Sequence, residues 1–233
     1  MQRTLLFFII TLFIYACECV PGLDTPKEIT PENSTDCIFI NGVEDNESLY
    51  IETDDIKISG NISYRQSKFE YKRVKVGNYY LKIKANDSLS IIYNSPIKFR
   101  KDKKYILCAY GKDYSIETLL IEQGLSEAKW SKIINLSGEL TPLQVKIVTA
   151  SDTITESIDR GVALDIDIVS QKIDMIYIKN LKSELILLQK DIYLKDNNII
   201  AIKGYNIDGN KKLTVDIMSK EWLLIEMAAY CSM

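Results

Sequence analysis

Between Cys37 and Gly111, apolar and polar residues alternate over short runs, the period expected of a strand with one buried face. The runs "CIFIN", "SLYIE", "FEYKRVKV", "YYLKIKA", "LSIIY", "IKFRK" and "KYILCAYG" are rich in Ile, Val, Tyr and Phe. Asn, Asp, Gly and Ser separate them, as turns between strands require. Their spacing places Tyr79, Leu81 and Ile83 on one face and Tyr80, Lys82 and Lys84 on the other. Gly77 with Asn78 supplies a turn between "RVKV" and "YYLKI". From Ser126 to Pro142 the alternation fades and Gly138 and Pro142 appear, so this stretch is read as a junction. Short strand-like runs then resume with "LQVKIVTAS", "VALDIDIVS", "KIDMIYIKN", "SELILLQKDIYL", "NIIAIKGYN" and "KLTVDIMS". The last stretch, "KEWLLIEMAAYC", fits helix or strand equally well by periodicity. The pattern predicts an all-β chain of two immunoglobulin-like β-sandwich domains in tandem, residues 37–125 and a more divergent 140–233.

The first 36 residues follow a different rule. Arg3 precedes an apolar core from Leu5 to Ala16, with the small Ala16 at its exit, which is the layout of a secretory signal. The core is about 12 residues, against the roughly 20 that a membrane-spanning helix needs. Ile14, Tyr15, Ala16 and Cys17 resemble the bacterial lipobox, although Tyr15 stands where a small residue is usual. That resemblance implies removal of residues 1–16 as a lipoprotein signal peptide and lipidation of Cys17 with diacylglycerol and a fatty acid such as palmitate. Two or three acyl chains hold a protein at a membrane, whereas one does so only marginally. The alternative is an ordinary signal peptide cut near Ala16 or Cys19. Residues 17–36 contain Pro21, Pro26 and Pro31 among acids and hydroxyl residues, and so read as an extended tether.

Composition narrows the chemistry. With 46% hydrophobic and 26% charged residues the chain has the makeup of a globular protein. A net charge of −3, with lysines interspersed among acids, argues against nucleic acid as a partner. The sequence has no histidine, which excludes Ser-His-Asp and Cys-His hydrolases and any imidazole-ligated zinc site. No dinucleotide-binding, P-loop, nucleophile-elbow or zinc-protease pattern is present, so no cofactor is expected. Beyond Cys17, the cysteines Cys19, Cys37, Cys108 and Cys231 lack metal-site spacing. They allow three pairings, of which a Cys37–Cys108 disulfide is one, and Cys108 equally fits a buried thiol.

Several groupings compete with plainer readings. Asp54 with Asp55, and Asp165 with Asp167, offer carboxylates for calcium, but calcium wants six or more oxygens and no EF-hand loop is present. A solvated sheet face is the better reading of both pairs. Lys82, Lys84, Lys101, Lys103 and Lys104 form the densest basic region, suited to anionic lipid or polysaccharide or simply to discouraging edge-to-edge aggregation. The 14 tyrosines offer contacts to sugar rings or a protein, yet they also serve as ordinary sheet filling. Asn33, Asn46, Asn61, Asn86 and Asn135 each begin an Asn-x-Ser/Thr sequon, which matters only in a glycosylating host.

The first half carries a further resemblance. "CIFINGVEDNESLYIET", "ISYRQSKFEYKRVKVGNYYLKIKANDS" and "LSIIYNSPIKFRKDKKYILCAYG" resemble the exported bacterial lipoproteins known as domain of unknown function 4397. The matching pieces are the opening strand at Ile38–Asn41, the strand at Leu49–Glu52, the tyrosine-containing segment Ile62–Lys72, the Val74–Gly77 turn feeding Tyr79–Ile83, and Tyr105–Gly111. Leu143–Ser151 is similar to the family's opening strand. The resemblance covers about Cys37–Gln123 and implies an envelope lipoprotein with immunoglobulin-like domains and no catalytic residues. The expectation is therefore a non-catalytic protein exported and anchored to a bacterial membrane, the outer membrane or cell surface, that binds or scaffolds an envelope protein or polysaccharide. The rivals are a soluble secreted glycoprotein of the same fold and a carboxylate-dependent hydrolase.

Overall fold

The computed structural model describes residues 31–44, 46, 48–53, 56–57, 61–65, 69–85, 91–112, 115–124, 130–138, 142–166, 172–180, 186–193, 197–207 and 210–219. Cys17, Cys19, Cys231, the signal, the tether up to Thr30, Asp54, Asp55, Asn86, Asp167 and the segment after Ser219 lie outside them. Two units are separable, Met1–Thr30 and Pro31–Met233, and the second holds all the described residues.

Among the described residues one short 3-10 turn (Pro31–Asn33) precedes an otherwise all-β body. The first nine strands are β1 (Ser34–Glu44), β2 (Ser48–Thr53), β3 (Ile56–Lys57), β4 (Ile62–Ser63), β5 (Lys72–Lys75), β6 (Gly77–Ala85), β7 (Ile91–Phe99), β8 (Lys103–Lys112) and β9 (Ser115–Gly124). They form one sheet of order β5-β1-β8-β9 and a second of order β3-β2-β6-β7, with β4 also on β2. The remaining strands are β10 (Ser131–Leu136), β11 (Leu143–Thr149), β12 (Thr153–Ile158), β13 (Ala163–Asp165), β14 (Lys172–Asn180), β15 (Ile186–Tyr193), β16 (Asn198–Ile207) and β17 (Asn210–Ser219). These form a third sheet, β13-β10-β16-β17, and a fourth, β12-β11-β14-β15.

Two halves therefore share one plan. Each opens with a strand that pairs in parallel with a late one, β1 with β8 and β10 with β16, while the other pairings are antiparallel. The halves align without a gap from the first strand into the next, matching Asn41 to Asn135, Gly42 to Leu136, Glu44 to Gly138 and Leu49 to Leu143. Pairing supports that match: Leu49 faces Ile62 across β2 and β4, and Leu143 faces Ile158 across β11 and β12.

Three apolar layers hold the four sheets together. Phe39, Leu49, Ile51, Leu81, Ile83 and Leu107 fill the space between sheets one and two. Ile133, Val145, Ile147, Ile176, Ile200 and Ile202 do so between sheets three and four. Ile38, Ile40, Ile106, Ile134, Leu136 and Ala201 join sheets one and three, giving a central seam. The two middle sheets are thus buried on both faces, and their central strands need apolar residues on both sides.

This accounts for the stretch where alternation fades. β10 lies within it, and every one of its residues is buried, so it shows no period of two. Leu143–Thr149, similar in sequence to an opening strand, is the counterpart of β2 instead. Gly77 and Asn78, expected as a turn, instead open β6 opposite Phe99 and Lys98, and the chain bends at Val76 as it passes from sheet one to sheet two. The facing of Tyr79, Leu81 and Ile83 matches the sequence expectation: Leu81 and Ile83 are buried, and Tyr79 packs on the same layer while Tyr80 is exposed.

Candidate functional site

Among the described residues, two places have the geometry of a site. One is a groove of about 230 Å³ where the edge strands β7 and β9 meet, lined by Leu81, Tyr93, Ile97, Leu107 and Leu120 with Lys98 and Glu122 at its rim. The Tyr93 hydroxyl and Thr118 Oγ1 join the two edges at 2.8 Å. Its apolar floor and the charges of both signs at its rim suit contact with a ligand or partner, and nothing among its lining residues supplies a nucleophile with a base beside it.

The other is the seam, where most of the buried ionisable chemistry lies. Lys203 on β16 is completely buried. Its ammonium donates to Asp216 at 2.6 Å and to the Tyr64 carbonyl, and sits 5.1 Å from the centre of the Tyr64 ring. Burial pulls its pKa below the ordinary lysine value, while the Asp216 carboxylate acts against that shift. The Tyr64 hydroxyl donates to the Gly204 carbonyl, so this tyrosine is bound at both ends of its contact. Across the seam Arg160 lies 5.4 Å from the Tyr110 ring centre and pairs with Glu117 at 2.9 Å. Tyr110 donates to the same carboxyl group at 3.0 Å, and burial followed by that hydrogen bond pushes its pKa up to about 12. Glu44, also buried, accepts from the Gly138 amide at 3.0 Å. The two glycines leave the space that the carboxylate fills, and a Cβ on Gly138 or Gly204 would make the Glu44 carboxylate move. Lys203 with Asp216 and Arg160 with Glu117 balance charge in pairs, the first enclosed and the second open to solvent at Glu117.

The residues singled out in the sequence disperse over the fold. Cys37 and Cys108 are both free, buried thiols, so the Cys37–Cys108 disulfide is not part of this structure. The physical reason is the pleat: Cys37 points into the layer between sheets one and two, and Cys108 into the seam on the opposite face. Burial raises both thiol pKa values, that of Cys108 to about 12. Asp165 pairs with Lys132 across β13 and β10 and is otherwise exposed. Among the described residues no group of carboxylates and thiols has the makeup of a metal site. The five lysines do not form one patch: Lys84 pairs with Glu52 at 2.6 Å, whereas Lys104 lies over the Tyr71 ring at 5.2 Å. Asn135 is no glycan acceptor in the folded chain, since its side chain is fully buried and bonded to Ile158 and Ser137. Asn61, by contrast, is exposed.

Sequence reasoning missed Lys203, Tyr64 and Arg160. Lys203 is flanked by apolar residues in "NIIAIKGYN", which is the one signal that a lysine there faces an interior.

No family model matches the chain, and no curated protein matches it. Among solved structures, a carbohydrate-binding module of family CBM26 from Eubacterium rectale Amy13K, crystallised in complex with maltoheptaose, is similar at a TM-score of 0.26 and 12% identity. The match covers 78% of this chain and 96% of that one. No helix among the described residues is long and apolar enough to cross a membrane.

Proposed function

We propose that the chain is an exported bacterial lipoprotein, held at the outer membrane or cell surface by lipid on Cys17, whose body binds or scaffolds an envelope protein or polysaccharide and carries out no reaction. The observation that carries this reading is the end of the apolar run: Ala16 and Cys17 stand where a lipid-attachment site falls, and the proline-bearing stretch to Asp36 follows directly. The chemistry of the body supports the non-catalytic part. Lys203, Glu44 and Tyr110 are spent on one another's neighbours in the seam, away from the groove between β7 and β9. That groove, apolar at its floor with Lys98 and Glu122 at its rim, is the surface where we place a partner.

The test is metabolic labelling with a clickable fatty acid, applied to wild type and Cys17→Ser, with membranes separated from medium. Label and membrane retention in wild type, and loss of both in the variant, are expected. Unlabelled wild type in the medium overturns the anchor and favours the soluble secreted form, for which exposed Asn61 remains an available sequon.

A further inference from the structure

The seam is reciprocal. Asn41 donates to the Ile62 carbonyl and Asn135 to the Ile158 carbonyl, so the residues two further on, Tyr64 and Arg160, occupy equivalent positions in the two halves. Gly42 pairs with Tyr110 between β1 and β8, and Leu136 with Lys203 between β10 and β16. Because Gly42 and Leu136 are equivalent, Tyr110 and Lys203 are equivalent too. Across the seam Tyr64 meets Lys203, and Arg160 meets Tyr110. The first position of one half contacts the second position of the other, in both directions, which is the signature of a two-fold, isologous interface. Near the axis, equivalent positions meet each other. A Cβ on Gly42 would lie 2.8 Å from the Leu136 Cβ, and Glu44 bonds to the Gly138 amide.

At all four pairs the residue types differ between the halves, and each difference favours the unlike pairing. Two first halves would set Glu44 against Glu44 and two glycines where Leu136 fills the gap, with tyrosines facing tyrosines and no cation. Two second halves would force Leu136 onto Leu136 and bring Arg160 against Lys203. Specificity built in this way combines attraction in the right pair with clash or repulsion in the wrong ones.

We propose that the seam is a dimer-type interface closed within one chain, and that the four position pairs 42/136, 44/138, 64/160 and 110/203 make each half bind only the other. The partner this surface fits is the complementary half, within the chain or from a second copy of it. Two chains that exchange halves would rebuild the same contacts.

The experiment uses the full chain with a specific protease site replacing residues 125–129. The folded protein is cut, unfolded in denaturant, refolded with both halves together and weighed by native mass spectrometry. Unlike pairs without like pairs are expected; like pairs at their statistical share, or recovery of no unlike pairs, overturn the proposal. A charge-exchange series then separates pairing specificity from general packing. Tyr64→Arg with Tyr110→Lys sets cation against cation and should reduce unlike pairing on the order of ten-fold or more. Adding Arg160→Tyr and Lys203→Tyr, with Asp216→Asn so that no buried carboxylate is stranded, should restore it, and failure of that restoration also counts against the proposal.

Discussion

The halves share strand order and the asparagine that pins the end of each first strand, yet their seam residues are opposite in kind. The first half brings Tyr64 and Tyr110, the second Arg160 and Lys203. Burial separates them further. Lys203 is wholly enclosed, while Arg160, the cation of the symmetry-related contact, keeps 18% of its side chain exposed and leans on a Glu117 that is half exposed. One backbone plan thus carries two electrostatic regimes. The buried contact depends on a complete set of partners, because an ion left alone in an apolar layer is costly, whereas the exposed one is screened by water.

The largest effect that separates the regimes should come from Lys203→Met. It strands Asp216 beside the seam and should cost about 3–5 kcal/mol, read from urea unfolding midpoints. Arg160→Met should cost no more than about 1 kcal/mol in the same assay. Adding Asp216→Leu to Lys203→Met should recover most of the loss, since a well-packed apolar pair replaces a buried ion pair with little penalty. An equal loss for Lys203→Met and Arg160→Met would erase the distinction.

Smaller effects sharpen the likeness of the halves. Asn41 accepts from the Val43 amide at 3.0 Å, as Asn135 does from Ser137 at 3.1 Å, and each donates to a backbone carbonyl. Asn41→Ala and Asn135→Ala should therefore each cost about 1–3 kcal/mol, through backbone groups left unpaired in the interior. Gly42→Ala should cost a comparable amount, about 1–3 kcal/mol, by overpacking against Leu136 and the Ala109 carbonyl.

Alkali should act on the seam with a defined sign. The Cys108 thiol rises from 9.0 to about 12 on folding, so its contribution is whole below pH 9 and is lost as pH climbs toward 12. Tyr110, raised from 10.0 to about 12, acts in the same sense over a higher window. Lys203, whose value is lowered, acts oppositely and adds stability as pH rises toward 10.5. Unfolding midpoints measured between pH 8 and 11 should fall less steeply in Cys108→Ala than in wild type, and equal slopes would count against the thiol's part. At the small end, Tyr80→Ala on the exposed face of β6 should shift stability by no more than about 0.5 kcal/mol.

Strands with one wet face were legible in the sequence. In β6, Leu81 and Ile83 alternate with Lys82 and Lys84, and the structure uses that alternation directly. β10 was not legible, because "SKIINL" is buried on both sides and even Lys132 and Asn135 lie inside. Periodicity records one solvent boundary, and a strand between two apolar layers has none. The same limit hid the seam: the apolar flanks of Lys203 hint at an interior, but its partner Tyr64 is known only once the facing sheet is. The cysteines show the converse, since strand parity alone sends Cys37 and Cys108 to opposite faces once β1 and β8 are adjacent.

The anchor carries the functional account, and the mass of the mature protein's N-terminal peptide tests it most directly. The account predicts a peptide from the membrane fraction that begins at Cys17 and carries diacylglycerol with at least one fatty acid. A mature chain recovered from the medium, beginning after Ala16 or Cys19 with no lipid, would contradict it.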